Sequence, residues 1–158
     1  MSNYPVDNAY ANNGVSFSNL YQDTSYSGSS PNTSGGDAVR FGQSPPLPFT
    51  ISFAQDVNEA AFVLVTNNSS VHSVIESFLD GALVETALVF TSPVNYTDFY
   101  GFSNSLFDQI KVTSETTVAD TVIIDNLQFT VNNVPEPLSL ALLPSALISL
   151  GVIRRRHG

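Results

Sequence analysis

Two runs of alternating side chains meet at Asp80-Gly81, and that junction constrains the chain more than any other feature. A strand turns successive side chains to opposite faces, so a period of two reads as a half-buried strand. Asp-Gly between two such runs forms a two-residue hairpin turn. The turn needs positive φ, which Gly adopts freely and Asp tolerates. The flanking strands are expected over 71–79 and 82–90, which would set Glu76 opposite Glu85.

The same period recurs elsewhere. Phe49, Ile51 and Phe53 alternate with Thr50 and Ser52, and 60–66 (AAFVLVT) is an apolar run short enough for a buried strand. Further strands are expected over 15–20, 38–41, 107–113 and 120–131, with a short strand or ordered corner over 96–102 (YTDFYGF). Turn-forming residues punctuate them at 67–70 and 115–119, and 23–37 reads as a long surface loop. The prolines of 43–48 (QSPPLP) lead into a strand, because they have no N–H to give a ladder. Eight or nine short strands at a spacing of about 8–12 residues predict an all-β fold, an antiparallel β-sandwich that is jelly-roll-like. No segment before Pro135 sustains a helical period.

Charge narrows the partners. Ahead of Pro135 stand two bases, Arg40 and Lys111, against thirteen carboxylates, hence a net charge of −11. Such a body repels phosphate, which argues against nucleic acid and anionic lipid. The chain has no cysteine, so it has neither a disulfide framework nor thiol chemistry.

The last 25 residues differ in kind. Val134, Pro135, Glu136 and Pro137 are followed by sixteen uncharged residues (LSLALLPSALISLGVI) and then Arg154, Arg155 and Arg156. The Pro-Glu-Pro segment stays extended and unpaired, open to an enzyme's cleft. As a helix the apolar run would span about 24 Å at ~1.5 Å per residue, somewhat short of a hydrocarbon core of about 30 Å. Pro144 would kink it, which membrane helices tolerate, and the arginines would stay on the cytoplasmic side. The expectation is a C-terminal transmembrane helix with the body outside the cytoplasm.

Residues 134–156 resemble the PEP-CTERM sorting signal of Gram-negative bacteria in the order and spacing of these three parts. The resemblance implies two regions, a 1–133 extracellular β-sandwich and a 134–158 sorting signal. It implies an exosortase as partner, processing near Pro135-Glu136-Pro137, and a precursor held in the inner membrane before release to the cell surface. Family members are exported by the Sec route and associated with exopolysaccharide, biofilm or floc formation. The pattern also expects a signal peptide, and residues 1–11 lack a basic start and an apolar core, so the leader is expected upstream of the present start. The body segments GFSNSLFDQIKV and VIIDNLQF look like the jelly-roll domains often found ahead of this signal.

No catalytic set emerges from the residue pattern, and a non-enzyme is expected. His72 and His157 are the only histidines; neither a Gly-x-Ser-x-Gly elbow nor a zinc motif is present. His72 reads as a surface histidine on a strand, and the pair Glu76 and Glu85 as a solvated face. Strict alternation over 120–131 places Asp125 in phase with Ile123, Leu127, Phe129 and Val131. A carboxylate on an apolar face needs a partner. Arg40, Lys111, backbone N–H groups and a metal are the candidates; bases are almost absent, which favours the backbone or a structural Ca²⁺ with Asp37 as second ligand, since Ca²⁺ prefers oxygen ligands. Tyr96, Phe99, Tyr100 and Phe102 form an aromatic group that suits a packed corner, or alternatively a sugar-stacking platform in a carbohydrate-binding module.

Overall fold

The computed structural model describes residues 4–23, 38–41, 46–67, 70–91, 99–116 and 121–132. Nine strands run through them: β1 (Tyr4–Pro5), β2 (Val15–Ser18), β3 (Tyr21–Gln22), β4 (Ala38–Phe41), β5 (Phe49–Thr66), β6 (Val71–Leu79), β7 (Ala82–Thr91), β8 (Phe99–Ser114) and β9 (Thr121–Val131). The helical content of the described residues is one 3₁₀ turn, Ala11–Asn13. Every strand pairing is antiparallel, in the order β1-β3-β4-β9-β5-β8-β6-β7, with β2 also on β5. The β-sandwich expected from the alternation is the architecture found.

Two long strands make both layers. The first part of β5 pairs with β2 on one edge and with residues 109–112 of β8 on the other. The second part pairs with β9 and with residues 99–107 of β8. Between these parts the register slips at Ser52/Val57 and again at Val57/Glu59. Such bulges bend and twist a strand. The sheet therefore folds over on itself, with β2, β6 and β7 in one layer and β1, β3, β4 and β9 in the other.

The core lies between the two layers. Phe49, Ile51, Ile75, Ile110 and Val112 come from one, and Ala60, Phe62, Leu64, Val122 and Ile124 from the other. Phe53, Phe102, Phe107 and Phe129 meet at centroid distances of 5.1 to 6.0 Å. Each fully buried large side chain contributes about 1.5–3 kcal/mol relative to exposure. A smaller cluster, Val39, Val63, Val65 and Ile123, is buried on the opposite face of the second layer. That explains why 60–66 reads as a continuous apolar run: both faces of the strand are covered.

The expected hairpin is present, with Asp80 at φ 51° and Gly81 at φ 80°. Its pairing departs from the expectation. Leu79 opposes Ala82 and Phe78 opposes Leu83, but then the register slips, so Ser77 opposes Glu85 and Glu76 opposes Thr86. Val84 is the extra residue. Glu76 and Glu85 are thereby turned to opposite faces, which removes the like-charge pair.

Candidate functional site

Residues 4–23 form an arm that joins the two layers. β1 pairs with β3 in one layer, while β2 pairs with β5 in the other. Between them the chain makes a compact loop. Gly14, at φ 81°, ends the 3₁₀ turn and donates its N–H to the Ala11 carbonyl at 3.0 Å. Phe17 N–H donates to Asp7 O at 2.8 Å, and Val6 N–H to Leu20 O at 3.0 Å. Buried Val6, Val15 and Leu20 anchor the arm in the main core. This apolar anchoring and the backbone bonds fix the loop on the sandwich.

A second irregularity faces the arm. On β9, Asp125 opposes Val63 and Gln128 opposes Ala61, so Asn126 and Leu127 share one partner position. Asn126 takes the left-handed conformation this bulge needs, at φ 51°. Its N–H donates to Asp125 Oδ1 at 2.7 Å. The bulge shifts the phase of the strand. Val122 and Ile124 face the main core before it, and Leu127, Phe129 and Val131 pack against that core after it. Strict alternation is thus corrected. Asp125 leaves the apolar series and stands half-buried at the bulge.

Between arm and bulge lies a cleft of about 370 Å³. The arm and the strands beside it contribute Val6, Tyr10, Asn13, Phe17 and Gln22 to its walls. From β9 come Asp125, Asn126, Leu127 and Phe129. Tyr10 is 47% exposed, enough to offer a ring face. Phe17 meets it edge-on, with centroids 6.0 Å apart and planes at 81°. Of the sequence-predicted site residues that are described, Asp125 alone is placed in this cleft. Tyr10, Asn13 and Gln22 escaped the sequence reading because the arm has no long alternation.

The other candidates separate. Phe102 is buried in the core, and Tyr100 packs against it with its hydroxyl donating to Phe90 O at 3.0 Å. Phe99 opposes Val63 of the other cluster and is 45% exposed, so these three rings make a packed corner and not a flat platform. Glu76 accepts from Lys111 Nζ at 2.7 Å, across the β6–β8 pairing. His72 is an exposed strand residue, its Nδ1 3.7 Å from Glu115 and its ring 5.2 Å from that of Phe90. Among the described residues there is no group of three His, Cys, Asp or Glu side chains able to hold a metal. Asp37, Tyr96 and the tail residues Val134, Pro135, Glu136, Pro137, Arg154, Arg155 and Arg156 lie outside the described residues, as does the expected transmembrane helix. Among the described residues, no helix is long and apolar enough to cross a membrane.

No protein-family model matches the chain, and no curated protein matches it. Three solved structures with a partly similar path are carbohydrate-binding modules by description. CpGH89CBM32-6 produced by Clostridium perfringens is 14% identical, with a TM-score of 0.45 over 75% of this chain and 94% of that one. TmCBM61, solved with β-1,4-galactotriose, is 14% identical, with a TM-score of 0.45 over 84% of this chain and 100% of that one. GH31 CBM32-2, bound to GalNAc, is 15% identical, with a TM-score of 0.41 over 75% and 97%. The likeness is one of chain path; the cleft stands on its own residues.

Proposed function

We propose that this chain is an exported, non-enzymatic protein of the cell surface or extracellular matrix whose jelly-roll-like body engages exopolysaccharide. The observation that carries the address is the C-terminal constellation: Pro135-Glu136-Pro137, an uncharged span and Arg154-Arg155-Arg156. In this reading the span inserts as a transmembrane helix, the arginines hold it on the cytoplasmic side, and an exosortase processes the precursor near the Pro-Glu-Pro triplet. The cleft between arm and β9 favours carbohydrate engagement, because it combines an exposed aromatic ring with amides and a carboxylate.

Mass spectrometry of the mature surface protein tests the address. The expected outcome is loss of the residues C-terminal to the Pro-Glu-Pro region; an intact Arg154-Arg155-Arg156 on the surface would refute it. A structural Ca²⁺ held by Asp125 and Asp37 is the competing use of the cleft's carboxylate. Ca²⁺ takes 6–8 oxygen ligands. Asp125 offers one carboxylate at the bulge, so the ion would need further oxygens besides Asp37. A melting temperature unchanged between excess CaCl₂ and chelator would dismiss that ion.

A further inference from the structure

We infer that the cleft between the N-terminal arm and the β9 bulge is a subsite for one uncharged pyranose unit of a glycan, stacked on Tyr10 and hydrogen-bonded by Asp125 and the neighbouring amides. The inference rests on the carbohydrate reading above and adds a place, a ligand charge and a set of roles.

The chemistry of the walls selects the ligand. A pyranose has an apolar face of C–H groups and a rim of hydroxyls that both donate and accept. Tyr10 supplies a large amphipathic ring for the face, and Phe17, edge-on at 6.0 Å, props it. The rim needs acceptors and donors together. Asp125 is an acceptor when ionised, while Asn13, Gln22 and Asn126 carry side-chain amides that do both. A charge-assisted bond from a hydroxyl to a carboxylate is stronger than a neutral one.

Charge sets the rest. Among the described residues, the cleft walls contain one carboxylate and no Lys, Arg or His. Uronate, sulfate and phosphate groups would meet repulsion there without a cationic partner. An uncharged sugar meets neither cost. The volume of about 370 Å³ lies near the lower end of the ~300–1,000 Å³ typical of small-molecule sites. That suits a single ring with its neighbours in the open. The site is also prepared in advance. The arm is tied by the Phe17–Asp7 and Val6–Leu20 backbone bonds, and the bulge by the Asn126–Asp125 bond. Rigid walls reduce the ordering cost of binding.

The test is affinity electrophoresis of the full chain in mild detergent, through gels holding a neutral galactan, a neutral glucan, a neutral mannan or anionic polygalacturonate. Retardation is expected in at least one neutral gel and none in polygalacturonate. Tyr10→Ala and Asp125→Asn are each expected to weaken that retardation about tenfold, or about 1.4 kcal/mol. Tyr10→Phe keeps the ring and should stay within about threefold. Glu85→Gln, outside the cleft, should leave retardation unchanged. Near-ultraviolet circular dichroism reports whether each variant remains folded. Full retardation of folded Tyr10→Ala and Asp125→Asn would overturn the subsite while leaving carbohydrate binding intact. Retardation by polygalacturonate alone would overturn the uncharged ligand. Free passage through all four gels would overturn the subsite and the carbohydrate reading together, leaving the sorting address to its own test.

Discussion

At the scale of single residues, the structure separates positions that look alike in sequence. Gly101 opposes Ala61 in the β5–β8 pairing. A Cβ built there would stand 1.9 Å from the Ala60 carbonyl oxygen, a backbone atom with little room to yield. Gly101→Ala is therefore expected to cost about 3 kcal/mol, read as a lower denaturant midpoint. Nothing in YTDFYGF announced that close approach. Ser73 and Ser77 lie on the same buried face of β6, yet they differ in partners. Ser73 Oγ bonds Ser114 Oγ at 2.7 Å, while Ser77 Oγ is buried with no partner among the described residues. Ser77→Ala should stabilise by about 1 kcal/mol, because it removes a desolvated hydroxyl. Ser73→Ala should destabilise by a similar amount, because it orphans Ser114. Equal shifts in the two melting curves would contradict this account. Asp125 carries the same lesson. Its chemistry was visible in the sequence, but its orientation depended on a bulge one residue away.

At the scale of elements, strands were readable where a good alternation met a good turn. The β6–β7 hairpin is the clearest case, since Asp80-Gly81 dictates positive φ and the structure shows it at both residues. Register was less readable. The slip at Val84 moves Glu85 away from Glu76, and no local preference of Val specifies an extra residue there. The β6–β8 pairing supplies what the hairpin does not, with Lys111 opposite Glu76. Lys111 Nζ also lies 5.8 Å from the Phe78 ring centroid, so its charge meets a ring face as well as a carboxylate. Glu76→Gln should lower stability by about 1 kcal/mol in dilute buffer. The deficit should shrink at molar salt, where screening weakens the wild-type pair. A salt-independent difference in urea midpoints would assign the loss to packing instead. The segments expected over 49–53 and 60–66 proved to be one strand, as did residues 99–102 of the aromatic corner and 107–113. Bulges break the period that sequence reading relies on, so a bent strand reads as two.

At the scale of the molecule, the β-sandwich class was readable and the strand order was not. Local alternation shows that a strand has an inner face, but β9 finds its place between β4 and β5 through pairings many residues apart. The cleft was unreadable for the same reason, since Tyr10 and Asp125 are 115 positions apart and meet only after both layers form. Because β5 and β8 run through both layers, neither layer is a separate folding unit. Hydrogen exchange should show the slowest amides of both halves of β5 opening at one common free energy. Two distinct plateaus would indicate layers that unfold independently. The position of β9 has a mechanical corollary. The Pro-Glu-Pro triplet follows β9 closely in sequence, and β9 is held by β5 from Val122 to Val131 and by β4 over Thr121–Ile124. Sheet hydrogen bonds lie across the strands. Tension applied along β9 from its C-terminal end would load its bonds to β5 in shear, all together, so that end of the sandwich resists pulling and does not peel.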